Sequence, residues 1–204
     1  MALHEHIRHT PILSASEAPI RMIGAFAESV GQATDLTQVG ECILRILSEQ
    51  LRLPKAAIWI REANGEYHLL ASLGHRTLAA LPASLPDNHA LITGLSDRLH
   101  LLRYDQASSS PAGSAMISIH GAVCLPLRNK TQFLGLCALG PIGTECHLDE
   151  DTVIIAETVA RIACNTLDHH LAQDDLRRSS TLMRRTDRLR SLEIMAGGFA
   201  HEIR

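Results

Sequence analysis

The sequence predicts an α+β fold in which helices flank a central antiparallel sheet and a long C-terminal helix follows. Between residues 20 and 51, apolar residues recur every three or four positions, which is the period of an α-helix. Two pairs of short, β-rich runs come next, and a turn-forming segment joins the members of each pair. From residue 148 to residue 204 the chain contains no proline, which favours one long helix.

Composition places the chain among ordinary folded proteins. It has 204 residues, a hydrophobic fraction of 46% and a net charge of −3, so it lacks the overall basic field of a nucleic-acid-binding protein. Its five cysteines form no Cys-x-x-Cys pair, and the N-terminus lacks the apolar stretch of a signal peptide. We therefore expect a cytoplasmic protein with no membrane span, no nucleic-acid partner and no metal site.

The N-terminal part is predicted to be a mobile arm followed by two helices. Residues 1–18 show no pattern, and their histidines are not expected to form an ordered metal site. The first helix is predicted over 19–30. The second is predicted over 36–51, with Asp35 as its N-cap, because apolar residues then line one face.

The next part is predicted to form a hairpin and then a variable covering region. Residues 56–60 and 67–71 read as strands, and Asn64-Gly65 between them is a strong hairpin signal. We expect loop with short helices over 74–97 and a third strand over 99–102. A loop over 108–113 and a short helix over 114–120 complete this region.

A second hairpin and a long helix complete the chain. Residues 122–127 and 133–139 are two apolar strands joined by a polar turn. A helix of about 55 residues would extend roughly 80 Å, which exceeds what a compact domain needs for its own core. We therefore predict a sensor-like domain over 19–165 and a helical stalk over 166–204 that connects domains or forms a coiled coil.

The sensor-like region resembles a GAF domain. The resemblance lies in Ala122-Val-Cys-Leu-Pro-Leu-Arg128, then Phe133-Leu-Gly-Leu-Cys-Ala-Leu-Gly140, then the acidic helix start at residues 148–151, in that order and spacing. It covers about 130 residues. The resemblance implies a sensory domain with a GAF-like central antiparallel sheet and, in many members, a small-molecule ligand.

The C-terminus resembles a second family. The run from Leu192 to Arg204 is similar to the first helix of the dimerisation and phosphotransfer domain of sensor histidine kinases, in which Ala-His-Glu-Ile-Arg is the phosphoacceptor box. The family normally continues with Asn-Pro-Leu, a second hairpin helix and an ATP-binding domain. We therefore expect this chain to be the N-terminal part of a longer cytoplasmic kinase, inactive alone.

The resemblance implies roles for two residues. His201 would attack the γ-phosphate of ATP, and Glu202 would orient the other ring nitrogen or accept its proton. A neutral imidazole has a free nitrogen lone pair near pH 7, which suits this role. ATP and Mg²⁺ would come from the missing catalytic domain, and the phosphate would pass to the receiver domain of a response regulator.

Heptad spacing predicts a parallel homodimer through the stalk. A frame with Leu182 and Leu189 at position a places Arg185 and Leu192 at d and leaves His201 at the outward position f. Upstream the frame places charged residues at the seam, which indicates weak packing, a register shift or a signalling joint. Gly197 and Gly198 indicate either a bend beside His201 or close helix packing. The homodimer seam would be formed by Leu182, Leu189, Leu192 and Phe199.

The ligand of the GAF-like domain stays open, because members of the family bind cyclic nucleotides, haem, iron, bilins or nothing. Cys146-His147 lies in the wrong place for bilin attachment, and Asn129-Lys130 lies at a hairpin tip, which favours turn formation over cyclic-GMP binding. Any lid should come from residues 74–118. Three histidines could line a pocket there: His89, His100 and His120.

Two other functions compete with the kinase hypothesis. One is a non-catalytic GAF module for ligand binding or dimerisation, whose helix merely joins two subunits. The other is a transcriptional activator, which would need an ATPase domain after the helix. The box at 200–204 favours the kinase, and the reading frame beyond Arg204 would distinguish all three.

Overall fold

The computed structural model describes residues 24, 26, 28–30, 32–33, 35–75, 81–129, 132–140 and 150–202, with side chains of the last helix described as far as Arg190. The arm predicted over 1–18 lies outside these residues. Of the helix predicted over 19–30, the described residues 24, 26 and 28–30 are helical. Phe26 and Val30 are buried in the core, which explains the apolar period of this segment.

A six-stranded sheet forms the centre of the fold. Its strand order is β3-β2-β1-β6-β5-β4, and every neighbouring pair is antiparallel. The predicted central antiparallel sheet is therefore confirmed. The strands are β1 (Lys55–Arg61), β2 (Tyr67–Leu73), β3 (Ser84–Leu85), β4 (Leu102–Arg103), β5 (Val123–Arg128) and β6 (Phe133–Gly140).

Helices cover both faces of the sheet. The two long ones lie on one face, and three short ones lie between β3 and β5 in the chain. They are α1 (Leu36–Leu51), α2 (Ala90–Leu95), α3 (Tyr104–Ala107), α4 (Pro111–Ser118) and α5 (Glu150–Glu202). Helix α5 has 53 residues, so the single long C-terminal helix is confirmed.

Helix α1 begins and ends where the sequence indicates. The Asp35 side chain accepts a hydrogen bond of 2.8 Å from the backbone N–H of Gln38, which is the expected N-cap contact. Arg52 then adopts a left-handed conformation, with φ 53°, and its N–H bonds the carbonyls of Ser48 and Glu49. These contacts satisfy backbone groups that a helix leaves unpaired at its ends.

Successive side chains of each strand point to opposite faces of the sheet, so the interior is divided into two apolar clusters. On β1, Ala56, Ile58 and Ile60 face helices α1 and α5, whereas Ala57 and Trp59 face the layer formed by residues 81–119. We call these the helix-side core and the covering-side core. The two long helices therefore lie on one face of the sheet, and the layer of residues 81–119, with its short helices, covers the other. No polar or charged side chain of the described residues is buried in either core.

The strand predicted over 99–102 is wrong in extent, because pairing with β5 begins only at Leu102. Leu101 gives its backbone N–H to the Glu157 carboxylate of α5 instead of to a strand, and Leu99 is largely exposed. A contact from a distant helix thus takes the place of a ladder hydrogen bond at Leu101. Alternation of residue types along the chain cannot reveal such a contact.

The covering layer also differs in detail from the sequence prediction. Strand β3 is a two-residue strand within the predicted loop of 74–97, and it pairs with Tyr67 and His68 of β2. The loop predicted over 108–113 is shorter, because the side chain of Ser110 caps α4 and Pro111 opens that helix. Helix α4 ends at Ser118, before His120 takes a left-handed conformation with φ 55°.

Two glycines meet steric requirements of the sheet. Gly65, in the turn between β1 and β2, has φ 86°, a conformation that other residues rarely adopt. A Cβ atom on Gly135 of β6 would collide with the carbonyl oxygen of Trp59 on β1. The close approach of two central strands thus explains why Gly135 occurs in the motif from Phe133 to Gly140.

Candidate functional site

The two predicted site residues, His201 and Glu202, lie in the last described turn of α5. Their backbone is helical, and their side chains are outside the described part of the chain. Among the side chains described as far as Arg190, the last fully buried one of this helix is Leu167, and His201 follows it by 34 positions. At 1.5 Å per residue, this places the histidine about 50 Å from the helix-side core along a continuous helix.

The helix continues through Gly197 and Gly198, where a bend or a close helix contact is predicted. The i to i−4 pattern thus persists across both glycines despite their low helix propensity. The domain that contains the sheet and the helical turn that contains His201 are thus joined by one continuous helix.

The stalk has two chemically different faces between residues 176 and 190. At 100° per residue, five arginines occupy an arc of about 120°, and all are exposed: Arg177, Arg178, Arg184, Arg185 and Arg188. The opposite arc contains Leu176, Leu182, Met183 and Leu189, which are 71%, 64%, 70% and 62% exposed, together with the sixth arginine of this stretch, Arg190, which is also exposed. We call these the arginine face and the apolar face.

Asp168, which the heptad frame places at a seam position, contacts the β5–β6 turn of the sheet instead. Its two carboxylate oxygens accept hydrogen bonds of 2.9 and 3.2 Å from the side-chain amides of Asn129 and Gln132. These amides belong to the β5–β6 turn, where Asn129 also accepts from the backbone N–H of Gln132. The interpretation of Asn129 as a turn residue is therefore confirmed, and Lys130 lies outside the described residues.

The covering-side core is closely filled by large apolar side chains. Trp59, Leu91, Leu95, Met116 and Ile119 are all fully buried. The indole N–H of Trp59 donates a hydrogen bond of 3.0 Å to the carbonyl of Pro82, which satisfies the one polar atom of that side chain. In the described region this core is therefore occupied by the protein's own side chains.

The three histidines considered for the pocket are not brought together. His89 caps α2, where its Nδ1 accepts a hydrogen bond of 3.4 Å from the backbone N–H of Leu91. Burial lowers the pKa of His89, which favours the neutral form that can accept this bond. His100 is exposed beside Glu157, and His120 is exposed before β5.

The cysteines behave as core residues. Cys124, Cys137 and Cys164 are buried, and burial raises the pKa of Cys124 and Cys164 to about 12. A thiol with so high a pKa is a poor nucleophile near neutral pH. Cys124 faces the covering-side core and Cys137 the helix-side core. Cys146 and His147 lie outside the described residues.

Within the ranges that the structure describes, no group of three His, Cys, Asp or Glu side chains is suited to hold a metal ion. The same ranges contain no helix that is long and apolar enough to cross a membrane.

The sequence matches no family model and no curated protein. The structure, however, is similar to solved GAF domains. One is from an Acinetobacter phosphoenolpyruvate-protein phosphotransferase (TM-score 0.64, 13% identity, 80% of this chain and 99% of that one). Another is from the corresponding Coxiella burnetii protein (TM-score 0.61, 18% identity, 79% and 99%).

A third similar structure is the GAF domain of a candidate sensor histidine kinase from Pseudomonas syringae pv. tomato. Its TM-score is 0.56 at 14% identity, with 80% of this chain and 94% of that chain covered. Identities this low establish the fold and nothing finer. The chain therefore has a GAF-like fold followed by a long helix.

Proposed function

We propose that this chain is the sensory and phosphoacceptor portion of a cytoplasmic two-component sensor histidine kinase. The observation that supports it best is the continuity of α5, which begins in the core of a GAF-like domain and extends to the box at 200–204. A GAF-like sensor at one end and an acceptor sequence at the other are the two ends of a signalling path. The helix between them is the physical connection.

In the proposed reaction, the neutral imidazole of His201 uses a ring-nitrogen lone pair to attack the γ-phosphorus of ATP. A phosphorus–nitrogen bond forms, and the bond to the bridging oxygen breaks with release of ADP. Glu202 orients the second ring nitrogen or accepts its proton. Phosphoryl transfer depends on positioning and on Mg²⁺ electrostatics, which an ATP-binding domain outside these 204 residues would supply.

The phosphate on His201 would then pass to an aspartate in the receiver domain of a response regulator. This step requires that the histidine can be reached by two different domains in turn. The outward heptad position f, which the frame gives to His201, satisfies that requirement.

The apolar face of the stalk supports the proposed parallel homodimer. Leu182 and Leu189 lie seven residues apart, as do Leu176 and Met183, which is the spacing of a coiled-coil seam. A seam centred on Ser179 and Thr186, between these two rows, leaves all five residues of the arginine face outside, whereas Arg190, seven residues after Met183, lies at its edge. Leu182 and Leu189 are also the a positions of the heptad frame that continues to Leu192 and Phe199. The seam can therefore shift register between the two frames while both leucines stay in it.

A non-catalytic GAF module that dimerises through the same helix is the second candidate. The apolar face of the stalk fits it equally well, because that face concerns association and not phosphate chemistry. Neither candidate specifies the ligand of the GAF-like domain.

The gene sequence beyond the codon for Arg204 tests the proposed function directly. The kinase hypothesis expects Asn-Pro-Leu, a second helix of a hairpin, and an ATP-binding domain. A stop codon, or a DNA-binding or ATPase domain of another class, would refute it and favour the GAF module.

A further inference from the structure

A carboxylate of the long helix α5 is bound to the loop between α2 and β4. Glu157 of α5 accepts a hydrogen bond of 3.0 Å from the backbone N–H of Leu101. Its two oxygens also lie 3.2 and 3.1 Å from Nδ1 of His100. The Glu157 side chain is only 15% exposed, whereas that of His100 is 82% exposed. The shielded backbone contact with Leu101 is therefore the firmer part of this attachment.

A second carboxylate of the same helix is bound to the β5–β6 turn. Asp168 accepts from the amides of Asn129 and Gln132 at 2.9 and 3.2 Å, as described above. Hydrogen bonds to an ionised acceptor are stronger than those between neutral groups. Asp168 directly follows Leu167, the last fully buried residue among the described side chains of the helix, so this attachment lies where α5 leaves the helix-side core.

The two carboxylates share one face of the helix. Eleven residues separate Glu157 from Asp168, which corresponds to about 16 Å along the axis and about 20° of rotation. Cys164, on the same face between them, is buried in the helix-side core. Polar contacts thus attach the helix to the rest of the domain at two points, and the buried apolar contact of Cys164 lies between them.

The two attachments are connected through the covering layer. The side chain of Arg128, next to Asn129 in the chain, donates a hydrogen bond to the carbonyl of Ser96. Ser96 ends α2 and begins the loop that contains His100. Helix α2 in turn buries Leu91, Ile92 and Leu95 in the covering-side core. A shift of α2 would therefore move the loop that binds Glu157 and pull on Arg128, the last residue of β5.

We infer that Glu157 and Asp168 are coupling residues, through which a displacement of α2 in the covering layer is transmitted to α5. Two packed elements joined by a few polar contacts can exchange small sliding motions without unfolding. The alternative route is through the sheet itself, from the covering-side core to the helix-side core. The two routes differ in whether these two carboxylates are needed.

Only the role of α5 in carrying a signal to His201 rests on the proposed function. The test of the coupling itself involves no phosphate chemistry. Hydrogen exchange of the full chain is measured by mass spectrometry, and Ile92→Val loosens α2 by removing one buried methyl group. We expect exchange to rise about fivefold over 90–101 and about twofold or more over 155–171. The same substitution is then made in a Glu157→Ala/Asp168→Ala background.

In that background, Ile92→Val should still accelerate exchange over 90–101 but should leave 155–171 unchanged relative to the background alone. A matched control, Glu150→Ala/Asp175→Ala, removes two exposed carboxylates of the same helix and should preserve the full response. Should the alanine pair not fold by circular dichroism, Glu157→Gln/Asp168→Asn takes its place, with the response over 155–171 reduced. An undiminished response over 155–171 without the two carboxylates would overturn the inference, as would no response there in the parent chain.

Discussion

The indole Nε1 of Trp59 lies 3.0 Å from the carbonyl oxygen of Pro82 and donates a hydrogen bond to it. This contact ties the central strand β1 to the segment that begins the covering layer. Trp59 is fully buried and is the only tryptophan of the chain, so its fluorescence reports on this one place.

Replacing Trp59 by phenylalanine should destabilise the domain. The substitution leaves the Pro82 carbonyl without its partner and leaves a void in the covering-side core. Together these effects should lower the free energy of unfolding by about 2–4 kcal/mol. Urea unfolding followed by circular dichroism measures the change, with Leu99→Ala as the exposed control. A loss below about 0.5 kcal/mol would show that Trp59 does not bind the two layers together.

Gly135→Ala should be strongly destabilising, because a Cβ atom there collides with the Trp59 carbonyl and must push two central strands apart. Overpacking of this kind costs about 1–3 kcal/mol. Gly24→Ala is the matched control, since the space around that helical glycine is open. Alanine at 24 should be neutral or stabilising by about 0.5–1 kcal/mol. Equal urea midpoints for the two variants would contradict the strand contact.

Alkaline pH should destabilise the protein through its buried thiols. Burial raises the pKa of Cys124 to about 12 from an ordinary 9.0 and also raises those of Cys137 and Tyr67. Within the pH window from 9 to 12, the unfolded chain has released protons that the folded protein keeps. Rising pH therefore favours unfolding, by up to about 1.4 kcal/mol per pH unit for each thiol.

Thermal unfolding between pH 8 and pH 10.5 tests this dependence. Below pH 8 the thiols are protonated in both the folded and the unfolded chain, so the stability that they contribute is fully retained. Cys124→Ala should make the decline above pH 9 shallower, whereas Cys42→Ala, at a half-buried site, should change it little. A decline with the same slope in both variants would exclude Cys124 as a source.

Association of two chains through the apolar face of the stalk can be tested by oxidative cross-linking. Thr186→Cys lies at the centre of that face and should give a covalent dimer rapidly under mild oxidation. Arg184→Cys, on the arginine face, is the control and should react slowly, and the parent chain corrects for its own five cysteines. Equal rates at both positions, or a strict monomer by light scattering at tens of micromolar, would refute the proposed seam.

Local sequence signals predicted most of the fold. The N-cap at Asp35, the Asn64-Gly65 turn and the apolar strands 122–127 and 133–139 each act over a few residues, so they are visible in the sequence. Helix α5 was predictable for the same reason, since it lacks proline over its whole length. These are elements in which local preference and tertiary packing agree.

What the sequence did not reveal depends on contacts between distant residues. The extended strand over 99–102 failed because Glu157, 56 positions after Leu101, takes its backbone N–H. The heptad frame places the charged Asp168 at an apolar seam position, whereas in the structure Asp168 binds the turn that contains Asn129 and Gln132. A charged residue at an apolar heptad position is a signal of such a contact, but the heptad frame alone does not name the partner.

Phosphotransfer to His201 tests the central proposal most directly. Incubated with ATP and Mg²⁺ alone, the chain should take up no phosphate, because the proposed reaction needs an ATP-binding domain. With the ATP-binding domain of its own kinase added in trans, it should acquire acid-labile, alkali-stable phosphate at His201. His201→Gln should abolish that label without changing the circular dichroism spectrum, and His169→Gln should retain it. Phosphate at another residue, or equal labelling of the His201→Gln variant, would contradict the acceptor role and leave the non-catalytic GAF module.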